Sequence, residues 1–156
     1  MATRYFVIQP TGSDSWDTTN NWSTSSGGAS GAAVPTVMDD VIFDSASNAT
    51  AYVATINAAA YCAAWTVSGP ASGAVTLASS ADIFVNGNVT YAAANVTNSI
   101  SNYTWLVGDG SYTYTPNGVR VNDIKVVGMW STWTLGSAMS NSDAVSYLRI
   151  WAGNFD

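Results

Sequence analysis

The sequence predicts an all-β protein: a short right-handed parallel β-helix (β-solenoid) preceded by an N-terminal strand and loop cap. Short runs of β-branched and aromatic residues are separated by Gly, Asn, Ser and Pro along all 156 residues, a pattern typical of strands joined by turns. No stretch keeps apolar residues at helical spacing for long enough to bury one face of a helix. The chain has no glutamate and only 9% charged residues, so Ser, Thr and Asn fill most polar positions and disfavour helices.

Each predicted strand is a short apolar or alternating run that ends at turn residues. In chain order the predicted strands are Tyr5–Ile8, Asp40–Phe43, Tyr52–Ile56, Ala64–Ser68, Ala74–Ala78, Asp82–Val85, Asn88–Tyr91, Tyr103–Val107, Ser111–Tyr114, Arg120–Val127, Thr132–Leu135 and Tyr147–Trp151. Between Thr11 and Pro35, a Ser- and Gly-rich stretch predicts a long loop. Residues 1–50 are therefore expected to form a capping and docking segment, and residues 51–156 the repeats, within one structural domain.

The strand centres beyond residue 50 recur at a coarse period. Steps of about 19, 21, 19 and 24 residues separate Trp65, Phe84, Trp105, Ile124 and Leu148, which is the length of one coil of a β-solenoid. Trp65 and Trp105 are therefore expected at matching core positions. A second strand in each coil alternates apolar residues with threonine, as in Val75-Thr76-Leu77, and this alternation directs the apolar side chains inward.

The turns leave an antiparallel β-sandwich or jelly roll as the alternative fold. Asn86-Gly87 and Asn117-Gly118 separate short apolar runs, and Asn-Gly in that position is a strong hairpin signal. In a β-helix the same turns, together with Gly69 and Gly108, would supply positive-φ positions between coils. The spacing of the strands does not decide between the two folds.

The composition excludes most reaction chemistries, so the chain is predicted not to be an enzyme and to need no cofactor. Without histidine and glutamate, neither a Ser-His-Asp triad nor most general-base schemes can be built. A net charge of −6 with four basic residues argues against a nucleic-acid partner. The first residues contain neither an export signal nor a membrane span, so no membrane partner is expected. The single cysteine, Cys62, is expected to be a small buried residue.

Asp39, Asp40 and Asp44 form the one acidic cluster in the sequence. Alternation in this strand buries Val41 and Phe43 and leaves the carboxylates near the two strand ends, which does not suit paired acid–base catalysis. Asp39 follows a Pro-Thr turn and is expected to accept backbone N–H bonds. Calcium binding together with Asp14 or Asp17 is the alternative interpretation.

Four of the seven tryptophans are candidates for contact with a glycan or a partner protein. Trp16 and Trp22 lie beside the polar loop, and Trp130 and Trp133 bracket a Ser-Thr turn. Tryptophan at such edges can anchor an interface or stack on a sugar ring. The alternative is that these side chains close the ends of the coil.

Two segments resemble a diffuse family of repeat proteins found in phage virion appendages and in large bacterial surface proteins. The first reads WDTTNNWS followed by GGASGAAVPTVMDDVIFD, and the second is the closing stretch WTLGSAMSNSDAVSYLRIWAGNFD. The family pattern begins W-D-x-x-x-N-W-S, continues with V-P-x-x-x-D-D-V-x-F-D, and closes parallel β-helix turns with L-x-L-x-A-G-x-F-D. The residues Ser146-Tyr147-Leu148-Arg149-Ile150 depart from the clean alternation of the family. In longer relatives the chain goes on after this motif, so this sequence is either a short capped version or the N-terminal part of something longer.

The resemblance implies a non-enzymatic virion structural protein, located in the virion and assembled in the host cytoplasm. It would be a tail fibre, a spike or a capsid-decorating appendage, and its partners would be other virion proteins and copies of itself, as a trimer in a fibre. The segment expected to dock by strand addition consists of Ala2, Thr3, Arg4, Tyr5, Phe6, Val7, Ile8 and Gln9. The alternative function is a carbohydrate-binding or adhesive module that contacts a host-surface glycan through Trp16, Trp22, Trp130 and Trp133.

Overall fold

The structure consists of parallel strands stacked in successive coils. It is a computed structural model, and it describes residues 1–8, 15–92, 94–120, 123–138 and 148–155. Within these ranges the regular elements are strands, apart from a 3-10 turn at Thr19–Asn21. The predicted β-solenoid is confirmed, with about 4 turns. The antiparallel sandwich is wrong, because among the described strand pairs only the pairing of the first two strands is antiparallel. No helix in the described part of the chain is long and apolar enough to cross a membrane.

The strands form three faces, and each coil runs through face C, then face A, then face B. In chain order they are β1 (Thr3–Phe6), β2 (Trp22–Ser23), β3 (Asp40–Phe43), β4 (Tyr52–Ile56), β5 (Ala60–Cys62), β6 (Ala64–Val67), β7 (Val75–Ser79), β8 (Ile83–Val85), β9 (Val89–Tyr91), β10 (Val96–Ile100), β11 (Thr104–Leu106), β12 (Ser111–Thr115), β13 (Ile124–Leu135) and β14 (Leu148–Phe155). Face A contains β5, β8, β11 and the first parts of β13 and β14. Face B contains β1, β3, β6, β9, β12 and the ends of β13 and β14. Face C contains β4, β7 and β10.

In-register stacking aligns the inward side chains in columns along the solenoid axis. On face A, Val85 pairs with Leu106, which pairs with Val126, and all three are fully buried. Cys62 pairs with Val85 and begins the same column. Its predicted burial is confirmed, and burial raises the pKa of its thiol. These columns form one continuous core, because each coil covers the apolar side chains of the next.

The structure corrects the predicted equivalence of Trp65 and Trp105. Trp65 lies on face B opposite Val41 and Val89 and is buried in the core. Trp105 lies on face A opposite Phe84, and both side chains point outward and are partly exposed. In the three-residue strand β11 the inward positions belong to Thr104 and Leu106, so the largest residue of the strand is on its outer side.

The glycines at the corners explain why hairpin signals occur in a parallel fold. Asn117 and Gly118 do adopt positive φ, at 49° and 77°, as predicted. Gly87 and Gly108 do not; they let neighbouring coils approach closely. A Cβ atom at Gly87 would lie 2.5 Å from the carbonyl oxygen of Ala63, and one at Gly108 would overlap the carbonyl oxygen of Asn86.

The N-terminal segment closes the first end of the solenoid. β1 lies between β2, which is antiparallel to it, and β3, which is parallel. On face C the cap continues as a bridge from Ser15 to Thr55, where the Trp16 N–H donates to the Thr55 carbonyl at 2.8 Å. Since β3 already pairs with β6, face B of the solenoid begins within the predicted capping segment.

Candidate functional site

Trp16 and Trp22 are core residues of the cap, so the prediction that they contact a glycan is wrong. Trp16 is 2% and Trp22 0% exposed. Their rings meet edge to face with centroids 4.8 Å apart, and the Trp22 Nε1–H donates to the Trp16 carbonyl at 2.8 Å. Trp16 also stacks on Trp65 at 5.8 Å. The alternative interpretation, that these side chains close one end of the coil, is the one the structure supports.

Trp130 and Trp133 have opposite environments although both lie on β13. Trp133 is fully buried and packs against Tyr112, with ring centroids 5.0 Å apart, so its predicted role as a glycan platform is wrong as well. Trp130 is 81% exposed. It lies in the part of β13 where the register with β14 shifts, at the corner between faces A and B. Of the four candidate tryptophans, Trp130 alone is available to a ligand.

The predicted docking segment is an internal strand of the cap. Tyr5 and Phe6 pair with β2 on one edge, and Tyr5 also pairs with β3 on the other. Phe6 and Val7 are buried, and the Val7 and Ile8 N–H groups donate to carbonyls of Asn21 and Ser47. Docking by strand addition through Tyr5 is therefore wrong, because both edges of the strand are already paired there. Gln9 lies outside the described residues.

Two carboxylates of the acidic cluster, Asp39 and Asp44, accept hydrogen bonds from nearby groups of the protein. The Asp39 carboxylate accepts hydrogen bonds from the Thr36 N–H at 3.0 Å, the Thr36 hydroxyl at 2.9 Å and the Ala2 N–H at 3.3 Å, which confirms the turn role predicted for it. Asp44 accepts from the N–H groups of Ala46 and Ser47. Among the described residues no group of three potential ligands could hold a metal ion. Asp14 lies outside them.

Hydrogen bonding makes Asp39 a source of pH-dependent stability. Burial opposes its ionisation, but the bonds from Thr36 and Ala2 and the nearby Arg4 outweigh burial and lower its pKa below 3.8. A carboxyl with a lowered folded-state pKa stabilises the fold above its unfolded-state pKa and loses that contribution as the pH falls through the folded-state pKa. We expect Asp39→Asn to reduce the free energy of unfolding at pH 6 and to differ less from the native chain below about pH 4. Urea titrations at pH 6 and pH 3 measure this, and a gap of equal size at both pH values would contradict it.

A ladder of aromatic side chains runs along the outer side of face A. Tyr61, Phe84 and Trp105 pair in register on neighbouring strands. Their rings stack nearly parallel, with centroids 4.9 Å apart between Tyr61 and Phe84 and 5.8 Å apart between Phe84 and Trp105. The next two side chains in this column are Lys125 and Arg149. Because the ring faces cover one another, the ladder holds successive coils together.

Lys125 is enclosed by aromatic rings where the ladder ends. Its Nζ lies 3.3 Å from the ring centroid of Tyr103, 4.1 Å from that of Trp105 and 5.4 Å from that of Trp151, and the residue is only 7% exposed. Cation–π attraction of this kind strengthens when the cation is shielded from water. Asp82 orients the group, because its carboxylate accepts from the Trp105 indole N–H at 2.9 Å and from the Tyr103 N–H at 3.2 Å. These contacts hold the Trp151 side chain against the outer side of face A. They therefore help to fix β14 to the preceding coil.

Inward-facing residues of the last described strand are exposed. Leu148 pairs with Ile124, and Ile150 pairs with Val126, so both continue inward core columns. Whereas Ile124 and Val126 are buried, Leu148 is 40% and Ile150 46% exposed. Three more large apolar residues are exposed on the same two strands: Met129 at 73%, Trp130 at 81% and Trp151 at 64%. We call these five residues the open-end patch.

Sequence reasoning missed both the ladder and the open-end patch. Tyr61, Phe84 and Trp105 recur at steps of 23 and 21 residues, and this periodicity was available to find the ladder. No periodicity of the sequence marks the patch. Leu148 and Ile150 occupy the same inward positions as the buried residues Ile124 and Val126, and they differ from them only in exposure. Comparison of the chain with protein-family models, with curated protein sequences and with solved structures finds no match.

Proposed function

We propose that the chain is a non-enzymatic structural protein of a bacteriophage virion, belonging to a tail fibre, a spike or a capsid-decorating appendage. The family resemblance described above motivates the biological setting. The observation that carries the structural role is the contrast between the two ends of the solenoid. The cap buries Trp16 and Trp22, whereas the last described strand exposes core-column residues Leu148 and Ile150.

An exposed strand edge with a large apolar patch is a feature that monomeric proteins avoid. The two exposed tryptophans alone carry on the order of 300 Å² of apolar surface, given the roughly 150–250 Å² that an aromatic side chain can bury. Such a patch suits permanent contact with another protein surface in an assembly. The last described coil is then the part of the molecule that we expect to contact another protein.

The test is whether the chain is part of purified particles. Virions from cells that express the full chain are isolated on a density gradient and analysed by peptide mass spectrometry. We expect the chain to sediment with the particles at a constant ratio to the major capsid protein after a high-salt wash. A host cytosolic protein from the same lysate serves as the control for carry-over. Recovery of the chain only in the soluble fraction would contradict a virion role.

A carbohydrate-binding or adhesive module is the second candidate, favoured by the exposure of Trp130 and Trp151. An exposed indole ring can stack on the apolar face of a sugar. A glycan array followed by thermal melting decides this: a bound sugar should raise the melting temperature of the native chain but not of Trp130→Ala or Trp151→Ala. If no glycan is retained on the array, this candidate is eliminated.

A further inference from the structure

We infer that the outer side of face B binds ice through a regular array of hydroxyl groups. The inference does not depend on the proposed virion role. The array belongs to the outward positions of β6, β9, β12 and the end of β13, which are stacked on one another in successive coils. We call it the hydroxyl array, and its members are Thr66, Thr90, Ser111, Thr113, Thr115, Thr132 and Thr134.

In-register pairing between neighbouring coils arranges the hydroxyl array in columns along the solenoid axis. The columns are Thr66, Thr90 and Thr115; Thr113 and Thr134; and Ser111 and Thr132. Between these described strands the pairing continues without a register shift. Neighbouring members of a column are therefore about 4.8 Å apart, and neighbouring columns are about 6.6 Å apart, which is twice the rise per residue of a parallel strand.

The side chains of the array point to solvent. Tyr114 and Trp133, which alternate with them along β12 and β13, are fully buried, whereas Thr90, Thr113 and Thr134 are exposed. A threonine hydroxyl both donates and accepts hydrogen bonds, as a water molecule does. Because threonine is branched at Cβ, its side chain is restricted at χ1 and holds the hydroxyl group in few positions.

The two spacings of the array are close to those of a prism face of hexagonal ice. On that face the oxygen atoms recur along one axis at nearly the distance between strands, and along the other axis at nearly twice the rise per residue. Water bound to one hydroxyl group is therefore close to the lattice position of water bound to the next. Since strand pairing already fixes the backbone in both directions, little conformational entropy is lost when this water becomes ordered.

The composition of the face favours ice over a protein or a glycan. No outward position in the described residues of β6, β9, β12 or Thr132–Leu135 carries a charge, so no ion holds a hydration shell that competes with the lattice. A protein interface normally has an apolar core, and a glycan site normally has an exposed aromatic ring. These strands present neither one outward. Face A carries the aromatic ladder instead, and on face C Val53 and Ala78 interrupt the outward columns.

Thermal hysteresis of the purified full chain is the first test: the gap between the temperatures at which a single ice crystal melts and grows. We expect a gap and faceted crystals. Thr113→Lys should abolish both, because it places a strongly hydrated ammonium group inside the array. Thr97→Lys is the matched control, since Thr97 is an exposed outward residue of β10 on face C, and it should leave the gap unchanged. Circular dichroism just above the freezing point establishes that both variants are folded.

Binding to the ice surface is measured separately on a single-crystal ice hemisphere grown in a solution of the chain, with the fluorescence of its seven tryptophans as the label. We expect fluorescence on the prism planes for the native chain and for Thr97→Lys, and none for Thr113→Lys. No hysteresis in the native chain, a gap retained by Thr113→Lys, an equal loss in both variants, or fluorescence confined to the basal plane would each overturn the inference. None of these outcomes bears on particle association, which tests the proposed function alone.

Discussion

Replacing Trp22 by alanine is expected to lower the free energy of unfolding by about 3–5 kcal/mol, as typical of a buried tryptophan. Trp22 is fully buried and packs against Phe6, Trp16 and Phe43, so the cavity would open in the middle of the cap. The loss of its indole N–H also leaves the buried carbonyl of Trp16 without that donor, which adds to the cost. A native domain of this size has a total stability of about 5–15 kcal/mol, so the variant should be close to unfolding at 37 °C.

Trp130→Ala is the matched control for this variant. Trp130 is 81% exposed, and a substitution at an exposed position of a monomer changes stability by no more than about 0.5 kcal/mol. Urea denaturation followed by circular dichroism, at a concentration low enough to keep the chain monomeric, measures both variants. Equal losses of stability in the two variants would contradict the assignment of Trp22 to the core and Trp130 to the surface.

Deleting residues 1–8 is expected to abolish cooperative folding of the capping segment. The deletion removes β1 from between β2 and β3 together with the buried side chains of Phe6 and Val7. Loss of a buried phenylalanine alone costs about 3–5 kcal/mol, and the deletion also exposes Val41, Phe43 and the hydrogen-bonding edge of β3. We expect a broad, non-cooperative thermal transition and rapid proteolysis of residues 15–50, measured by circular dichroism and limited chymotrypsin digestion.

The control for the deletion is the removal of Met1 alone, since Met1 is 86% exposed and outside β1. This shorter deletion should leave the melting curve unchanged. A sharp transition within a few degrees of the native chain after loss of residues 1–8 would restore the idea that this segment is a detachable docking arm.

The sequence predicted best those strands whose alternation is complete. Asp40–Phe43 and Tyr52–Ile56 coincide with β3 and β4, because each alternates inward and outward residues and ends at a turn. β5 and β10 were missed. β5 has only three residues, and β10 contains Asn98 at an inward position, where its side chain is buried and accepts a bond from the Ile100 N–H. A buried polar residue whose hydrogen-bond partner is nearby backbone interrupts the apolar alternation, so the sequence pattern does not indicate the strand that contains it.

The tryptophans show why the candidate site could not be predicted. Trp16 and Trp22 lie in a polar Ser- and Asn-rich stretch, so local composition indicated exposure. Their burial depends on Trp65 and Phe43, which are far away along the chain and meet them only after the coils have stacked. The sequence also does not determine whether Trp105 points inward or outward, because no residue of Thr104-Trp105-Leu106 is strongly polar. Contacts between coils, and not local pattern, decide these positions.

The in-register columns also constrain how the length of such a protein can change during evolution. Paired positions on face A are separated by 23 residues between β5 and β8 and by 21 between β8 and β11, so corners absorb insertions of a residue or two. An insertion of one residue within a strand, by contrast, would turn every following side chain in it to the opposite side. Duplication or loss of a whole coil keeps every column continuous. Lineages built on this plan should therefore differ by complete coils and by corner loops, with strand lengths nearly constant.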